Sequence, residues 1–134
     1  MSRAEYSDEC DGWEFICWRG AVASAIRGKR GQAFLRDMAS ALDAMPDKKL
    51  IADELRNNDG VCALGALGLV KGVPVDDIDP YDHERIASVF NISEALAREV
   101  VFMNDEGGYR PSPERRWEIV REWVRENLRI NAEE

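Results

Sequence analysis

Apolar residues recur every three or four positions through most of this chain, which is the spacing of one face of an α-helix. The clearest case is the C-terminal segment, where Trp117, Val120 and Val124 form an apolar stripe and charged residues occupy the opposite side. The same spacing predicts four further amphipathic helices. The five predicted segments are residues 13–26, 34–45, 86–90, 96–103 and 113–128.

The run from Gly60 to Val70 contains no charged residue. It predicts a sixth helix that is apolar on all sides and is therefore buried at the centre of the fold. Gly65 and Gly68 each cost such a helix about 1 kcal/mol relative to alanine. We expect close packing against neighbouring elements to offset that cost, and a glycine-lined ligand or phosphate site is the alternative interpretation.

Glycines, prolines and capping residues divide these helices from one another. The segment Arg27–Gly31 contains two glycines and is predicted to be a loop, and so is Asn104–Tyr109. Asp79 followed by Pro80 has the pattern of an N-cap and a first helical residue. The predicted N-caps are Asp79, Ser93 and Ser112.

The segment Asn57–Gly60 suits a tight reversal because its residues tolerate positive φ angles. It predicts a short hairpin between residues 49–52 and 61–62. A helical turn from Ile51 to Leu55 is the alternative, since the intervening charged residues have little strand preference.

Together these elements predict a mainly α-helical fold, namely a compact single-domain bundle of about six helices with at most one short β-hairpin. The domain is expected to span residues 12–130. Residues 1–11 are expected to form a flexible acidic N-terminus and residues 131–134 a disordered C-terminal tail.

Composition restricts the partners and the compartment. The chain of 134 residues has a net charge of −8, which disfavours general affinity for nucleic acid or for an anionic membrane. Its three cysteines lack the spacing of a disulfide framework, and no apolar run approaches the roughly 20 residues of a membrane span. We therefore expect a cytoplasmic protein with no membrane contact, and the oligomeric state stays open.

Two charged clusters are candidate binding surfaces. The acidic cluster is a candidate contact for a partner macromolecule, and the basic cluster is a candidate contact for an anion or a partner. The acidic residues are Asp76, Asp77, Asp79, Asp82 and Glu84, and the basic residues are Arg27, Lys29 and Arg30.

Residues 87–93 have the spacing of a helix-turn-helix corner, which would place Ser93–Met103 in the position of a recognition helix. The chemistry of that helix is poor for reading DNA, because Glu94 and Glu99 would face phosphates. A helical corner within the core is the simpler interpretation.

Metal, cofactor and catalytic patterns are weak. His83, the only histidine, is expected to be a surface residue at a helix start, and we predict neither a metal site nor a cofactor. Asn104 and Asp105, beside two glycines, form a candidate polar site for a small ligand or an enzyme. A capped helix end explains the same residues.

The segment Asp59–Ala66, followed some forty residues later by Met103–Glu106 and an amphipathic C-terminal helix, resembles small uncharacterised proteins of tailed phages and prophages. The stretches Arg27–Gln32 and Leu42–Pro46 resemble the same group. The resemblance implies a bacterial host cytoplasm and a shared cluster of Cys62, Gly65, Asn104 and Asp105. It transfers no activity.

From these observations we expect a non-enzymatic phage or prophage accessory protein that binds a host macromolecule. Its sharpest form is an inhibitor of a host defence or regulatory complex, which presents an acidic, nucleic-acid-like surface. The alternative is a nucleic-acid-binding or transcription-regulatory protein that uses the basic cluster and the helix-turn-helix-like corner. A small-ligand-binding protein or enzyme at Asn104 is the third hypothesis.

Overall fold

The computed structural model describes residues 12–129, and the side chains from residue 14 onward. The predicted N-terminal segment 1–11 and C-terminal tail 131–134 lie outside the described residues. Within them the chain forms six helices and one two-stranded antiparallel hairpin, so the predicted fold class is confirmed. The elements are α1 (Gly12–Arg27), α2 (Lys29–Ala44), β1 (Arg56–Asn57), β2 (Gly60–Val61), α3 (Ala63–Lys71), α4 (His83–Phe90), α5 (Glu94–Glu106) and α6 (Pro113–Asn127).

Three helix boundaries follow from the local sequence as predicted. The Ser93 side chain accepts a hydrogen bond from the backbone N–H of Leu96, and that of Ser112 accepts one from Arg115, so both serines are N-caps. Helix α3 ends at Gly72, whose φ of 73° is the left-handed conformation that favours glycine.

The predicted start of α4 was wrong by three residues. Asp82 is the N-cap, and its carboxylate accepts from the backbone N–H of Arg85 at 3.1 Å. Asp79 instead closes a local turn by accepting from the backbone N–H of Tyr81 at 2.9 Å. Both aspartates suit capping, and the turn between them delays the helix until His83.

The predicted loop between α1 and α2 was also wrong, because only Gly28 interrupts the helical backbone. Residues 29–31 form the first turn of α2 and pack tightly on the end of α1. A Cβ added at Gly31 would lie 2.0 Å from the carbonyl oxygen of Ala25. Glycine is therefore required at this position for close approach of the two helices.

The hairpin is confirmed, although its strands differ from the predicted ones. Arg56 pairs with Val61, and Asn57 pairs with Gly60, so the first strand lies at residues 56–57 and not at 49–52. Residues 51–55 form bends without the alternative helical turn. They still bond to the hairpin, since the backbone N–H of Ile51 donates to the Val61 carbonyl at 2.9 Å.

Helix α5 is the central element of the bundle, because it contacts α1, α3, α4 and α6. Its Leu96, Ala97 and Val100 are fully buried. Helix α3 packs against α2 and α5 and is buried only over residues 63–68. The prediction that the whole run to Val70 is buried was wrong, because Leu69 and Val70 are 52% and 62% exposed.

Helices α2 and α6 are joined by polar contacts at their edge. The Arg121 guanidinium donates to both carboxylate oxygens of Asp43, at 2.8 and 2.9 Å. This hydrogen bonding lowers the pKa of Asp43 below its ordinary value. The indole N–H of Trp117 donates to the carbonyl of Leu42 at 3.1 Å, so the half-buried tryptophan fixes the same pair of helices.

Candidate functional site

The side chain of Asn104 connects three segments of the backbone. Its Oδ1 accepts from the backbone N–H of Ala63 at 3.0 Å, and its Nδ2 donates to the carbonyl of Ile51 at 2.8 Å. The same Nδ2 also donates to Asp105 Oδ1 at 2.9 Å. The amide is buried and its polar groups are used within the protein, so we assign Asn104 a structural role.

Asp105 and Arg116 extend this junction. Asp105 Oδ1 accepts from the backbone N–H of Asp53 at 3.3 Å, and Asp53 has a left-handed φ of 72°. Arg116 Nε donates to the carbonyl of Asn104 at 2.8 Å, and its Nη1 donates to that of Leu50 at 3.4 Å. The end of α5, the start of α6 and the segment before the hairpin are thus tied together.

Cys62 lies on the other side of the same junction. Its Sγ accepts from the backbone N–H of Gly65 at 3.4 Å, which makes Cys62 the N-cap of α3. A Cβ added at Gly65 would lie 2.0 Å from the carbonyl oxygen of Leu55, which confirms the predicted close packing. The contact between Ala63 and Asn104 shows that the predicted neighbourhood of α3 and Asn104 is correct.

Burial raises the pKa of the Cys62 thiol to about 12. The thiol is therefore neutral at physiological pH and is not an activated nucleophile. Cys17 is exposed, and both cysteines are free thiols. Cys10 lies outside the described residues.

Asn104 and Asp105 do not lie in the predicted loop, because α5 continues to Glu106 and the loop begins at Gly107. A cavity of only about 10 Å³ adjoins Asn104. An open basin of about 340 Å³ lies beside Asp105, but its lining does not include Asn104. The expectation of an exposed His83 was wrong, since it is 6% exposed, and it lines neither cavity.

The acidic residues predicted as a partner contact lie on one exposed surface. We call this the acidic surface, and it contains Glu54, Asp76, Asp77, Asp79, Asp82 and Glu84. Four of the carboxylates, including Glu54 from the segment before the hairpin, line an open basin of about 320 Å³. The sequence pattern missed Glu54 because the basin joins segments that are some twenty residues apart.

Two of these carboxylates have a cationic neighbour. Asp76 lies 3.7 Å from Arg56 and Asp77 lies 4.0 Å from Arg85, with side chains that are 73% and 82% exposed. Exposed pairs at such distances contribute little to stability and leave the carboxylates accessible to solvent. Asp79 and Asp82 bind backbone N–H groups, so they also shape this segment.

The basic residues Arg27, Lys29 and Arg30 are all exposed around the break between α1 and α2. Arg30 Nη1 donates to Asn91 Oδ1 at 3.3 Å. Asn91 is the left-handed residue that turns the chain from α4 into α5, with a φ of 58°. The structure therefore brings the basic cluster to the helix-turn-helix-like corner, which spacing alone did not indicate.

An apolar groove was not expected from the sequence. It has a volume of about 450 Å³ and lies between the end of α2, the hairpin and the outer side of α3. Leu69 and Val70 line it beside Ala66. The signal was present, because a short helix that is apolar on all sides and lies at the edge of a bundle must expose one apolar side.

Two general tests of the site are negative for the part of the chain between residues 12 and 129. No three His, Cys, Asp or Glu side chains there are grouped so that they could hold a metal ion. Over the same residues, none of the helices combines the length and the apolar character needed to cross a membrane. Comparison with protein-family models, curated proteins and solved structures finds no match to this chain.

Proposed function

We propose that this protein is a binding protein without catalytic activity, and that the acidic surface is its contact with a partner macromolecule. The observation that carries the proposal is the exposure of six carboxylates on one surface that only two guanidinium groups approach within 4.0 Å. Such a surface attracts a basic partner and speeds its association. The neutral thiol of Cys62 and the fully engaged amide of Asn104 support a role without catalysis.

The partner we propose is a host protein or protein complex that itself binds nucleic acid. Carboxylates on a rigid surface would take the positions of phosphates and block that site. The resemblance to phage and prophage proteins leads us to propose inhibition of a host defence or regulatory complex as the biological role. In this proposal the protein acts in the cytoplasm of the bacterial host.

The test is affinity capture from a nuclease-treated bacterial lysate, followed by affinity measurement with the purified partner. The surface variant combines Asp76→Asn, Asp77→Asn and Glu84→Gln, which spares the capping residues Asp79 and Asp82. We expect binding about tenfold weaker, because three exposed charge pairs of roughly 0.5 kcal/mol each add to that factor. The matched control combines Glu118→Gln, Glu122→Gln and Glu126→Gln on the exposed side of α6.

The control has the same change in net charge as the surface variant, so equal loss with both variants would show that net charge alone matters. In that case the acidic surface would not be the contact. Equal affinity of the wild type and the surface variant would have the same meaning. Capture of no host protein from the nuclease-treated lysate would overturn the proposed function itself.

Nucleic-acid binding is the second candidate, and the hydrogen bond between Arg30 and Asn91 favours it. That bond places the basic cluster beside the helix-turn-helix-like corner. Helix α5, however, is enclosed by four other helices, and Glu94 is its only exposed residue. It has little surface with which to enter a DNA groove, so binding would rely on phosphate contacts from the basic cluster.

Retention of duplex DNA as a function of salt concentration tests this second candidate. Phosphate contacts predict a steep loss of affinity with salt, and a lower slope for Lys29→Ala with Arg30→Ala. The control is Arg115→Ala with Arg125→Ala, two exposed arginines on α6. No DNA retention at low salt would exclude the candidate.

A further inference from the structure

The outer side of α1 is an exposed helix face with very little charge. At 100° per residue, five positions of one face lie opposite Val22, which is fully buried. All five are exposed, and Ile16 is 63% exposed. These positions are Ile16, Cys17, Gly20, Ala23 and Ser24.

Gly20 lies in the middle of this face and has no role within the described fold. A Cβ added there would meet nothing within 4 Å among residues 12–129, and its φ is not in the left-handed region. A glycine in the interior of a helix costs about 1 kcal/mol relative to alanine. The close approach that would offset this cost must therefore come from outside the described fold.

The two ends of α1 carry opposite charge. Glu14 is in its first turn and Arg27 is in its last turn, followed by Lys29 and Arg30. At 1.5 Å per residue, Glu14 and Arg27 lie about 9 Å and 10.5 Å from Gly20 along the axis. The charges are thus placed almost symmetrically about the glycine.

We propose that two copies of this chain associate through α1, with the helices antiparallel and crossing at Gly20. This arrangement brings Arg27 of each copy to the helix start of the other, where Glu14 lies, so the charges attract at both ends. A parallel arrangement would place like charges together. The same patch then serves both copies, as a two-fold interface requires.

The inference goes beyond the proposed function, because α1 contributes no residue to the acidic surface. Small residues at the crossing let the two backbones approach, and Ile16 of each copy covers the small residues near the other end. The contact also places Arg27 at an interface, which limits its role in an anion site. A second copy is the occupant that matches this charge pattern without any further component.

Sedimentation equilibrium of the full chain over a range of concentrations tests the proposal, with Gly20→Leu as the first variant. The space around Gly20 is open, and leucine is a good helix former, so the monomer is expected to fold at least as stably. The wild type should dimerise, and Gly20→Leu should raise the dissociation constant more than about tenfold, since each interface contains two substitutions. Thermal unfolding of the same variant monitors the fold.

A charge-reversal cycle tests the antiparallel orientation. Arg27→Glu should weaken the dimer, and Glu14→Arg added to Arg27→Glu should restore most of the lost affinity. The matched control is Leu69→Ser with Val70→Ser, which removes the exposed apolar pair on α3 and should leave the dimer intact. A wild type that stays monomeric, a dimer that tolerates Gly20→Leu, or a dimer lost in the α3 control would each overturn the proposal.

Discussion

The backbone N–H of Ala63 donates to Asn104 Oδ1 at 3.0 Å. Ala63 is the first residue of α3, so its N–H has no partner within its own helix. The end of α5 supplies that partner, and the same side chain donates to the carbonyl of Ile51. One buried amide therefore fixes the start of α3 and the segment before the hairpin relative to the central helix.

Replacement of this amide should destabilise the fold strongly. Asn104→Ala leaves a buried N–H and a carbonyl without partners, and we expect a loss of about 2 to 4 kcal/mol in the free energy of unfolding. Urea denaturation followed by circular dichroism measures it. Asn58→Ala in the exposed hairpin turn is the control, with an expected change within about 0.5 kcal/mol. A loss below 1 kcal/mol for Asn104→Ala would mean that water replaces the amide.

Gly28 and Gly31 should respond differently to the same substitution. A Cβ at Gly31 would lie 2.0 Å from the Ala25 carbonyl oxygen, whereas a Cβ at Gly28 meets its nearest atom at 3.7 Å. We expect Gly31→Ala to cost more than about 2 kcal/mol because α1 and α2 must separate. Gly28→Ala, at an N-cap position, should change stability by only a few tenths of a kcal/mol. Thermal unfolding of both variants compares them, and equal effects would contradict the close approach.

The ion pair between Arg19 and Glu99 should contribute measurably to the docking of α1. The Glu99 side chain is only 5% exposed, and its carboxylate lies 2.8 Å from Arg19 Nη1. We expect Arg19→Met to cost about 1 to 3 kcal/mol, because a buried carboxylate loses its charged donor. Arg115→Met, which breaks the exposed pair with Glu118, is the control and should cost less than about 0.5 kcal/mol.

A double-mutant cycle with Glu99→Gln isolates the pairwise contribution of this ion pair. The glutamine removes the buried charge, so it should cost less in the Arg19→Met background than in the wild type. Urea denaturation of the four proteins supplies the free energies. Strict additivity would show that the two side chains stabilise the fold independently.

The local features of the fold could be predicted because local physics determines them. Ser93 and Ser112 cap their helices through bonds to residues three positions later. The start of α4 could not be fixed in this way, because Asp79 and Asp82 both bind nearby backbone and only the geometry of the intervening turn distinguishes them. The central role of α5 depends on which helices surround it.

The junction at Asn104 shows why the candidate site was only partly predictable. The glycines at 107 and 108 indicated a helix end, but they did not show that α5 continues to Glu106. The partners of the Asn104 amide are Ala63 and Ile51, which are 41 and 53 residues away in the sequence. Such contacts leave no periodic signal, so a structural amide and a ligand-binding amide have the same sequence pattern.

The buried thiol of Cys62 should make stability depend on alkaline pH. The ordinary pKa of 9.0 applies to the unfolded chain, whereas burial raises the pKa to about 12 in the folded protein. Above pH 9 the unfolded state therefore releases a proton that the folded state keeps, which favours unfolding. The stability that Cys62 contributes is complete below pH 9 and falls between pH 9 and 12, by up to about 1.4 kcal/mol per pH unit.

Urea denaturation of the wild type and Cys62→Ala at several pH values between 8 and 11 checks this dependence. Other groups titrate in both proteins, so the difference between them isolates Cys62. The advantage of the wild type should shrink as the pH rises, whereas Cys17→Ser should show no such trend, because Cys17 is exposed. A constant difference across this range would show that Cys62 is not desolvated in the folded protein, and that the cap of α3 is open to water.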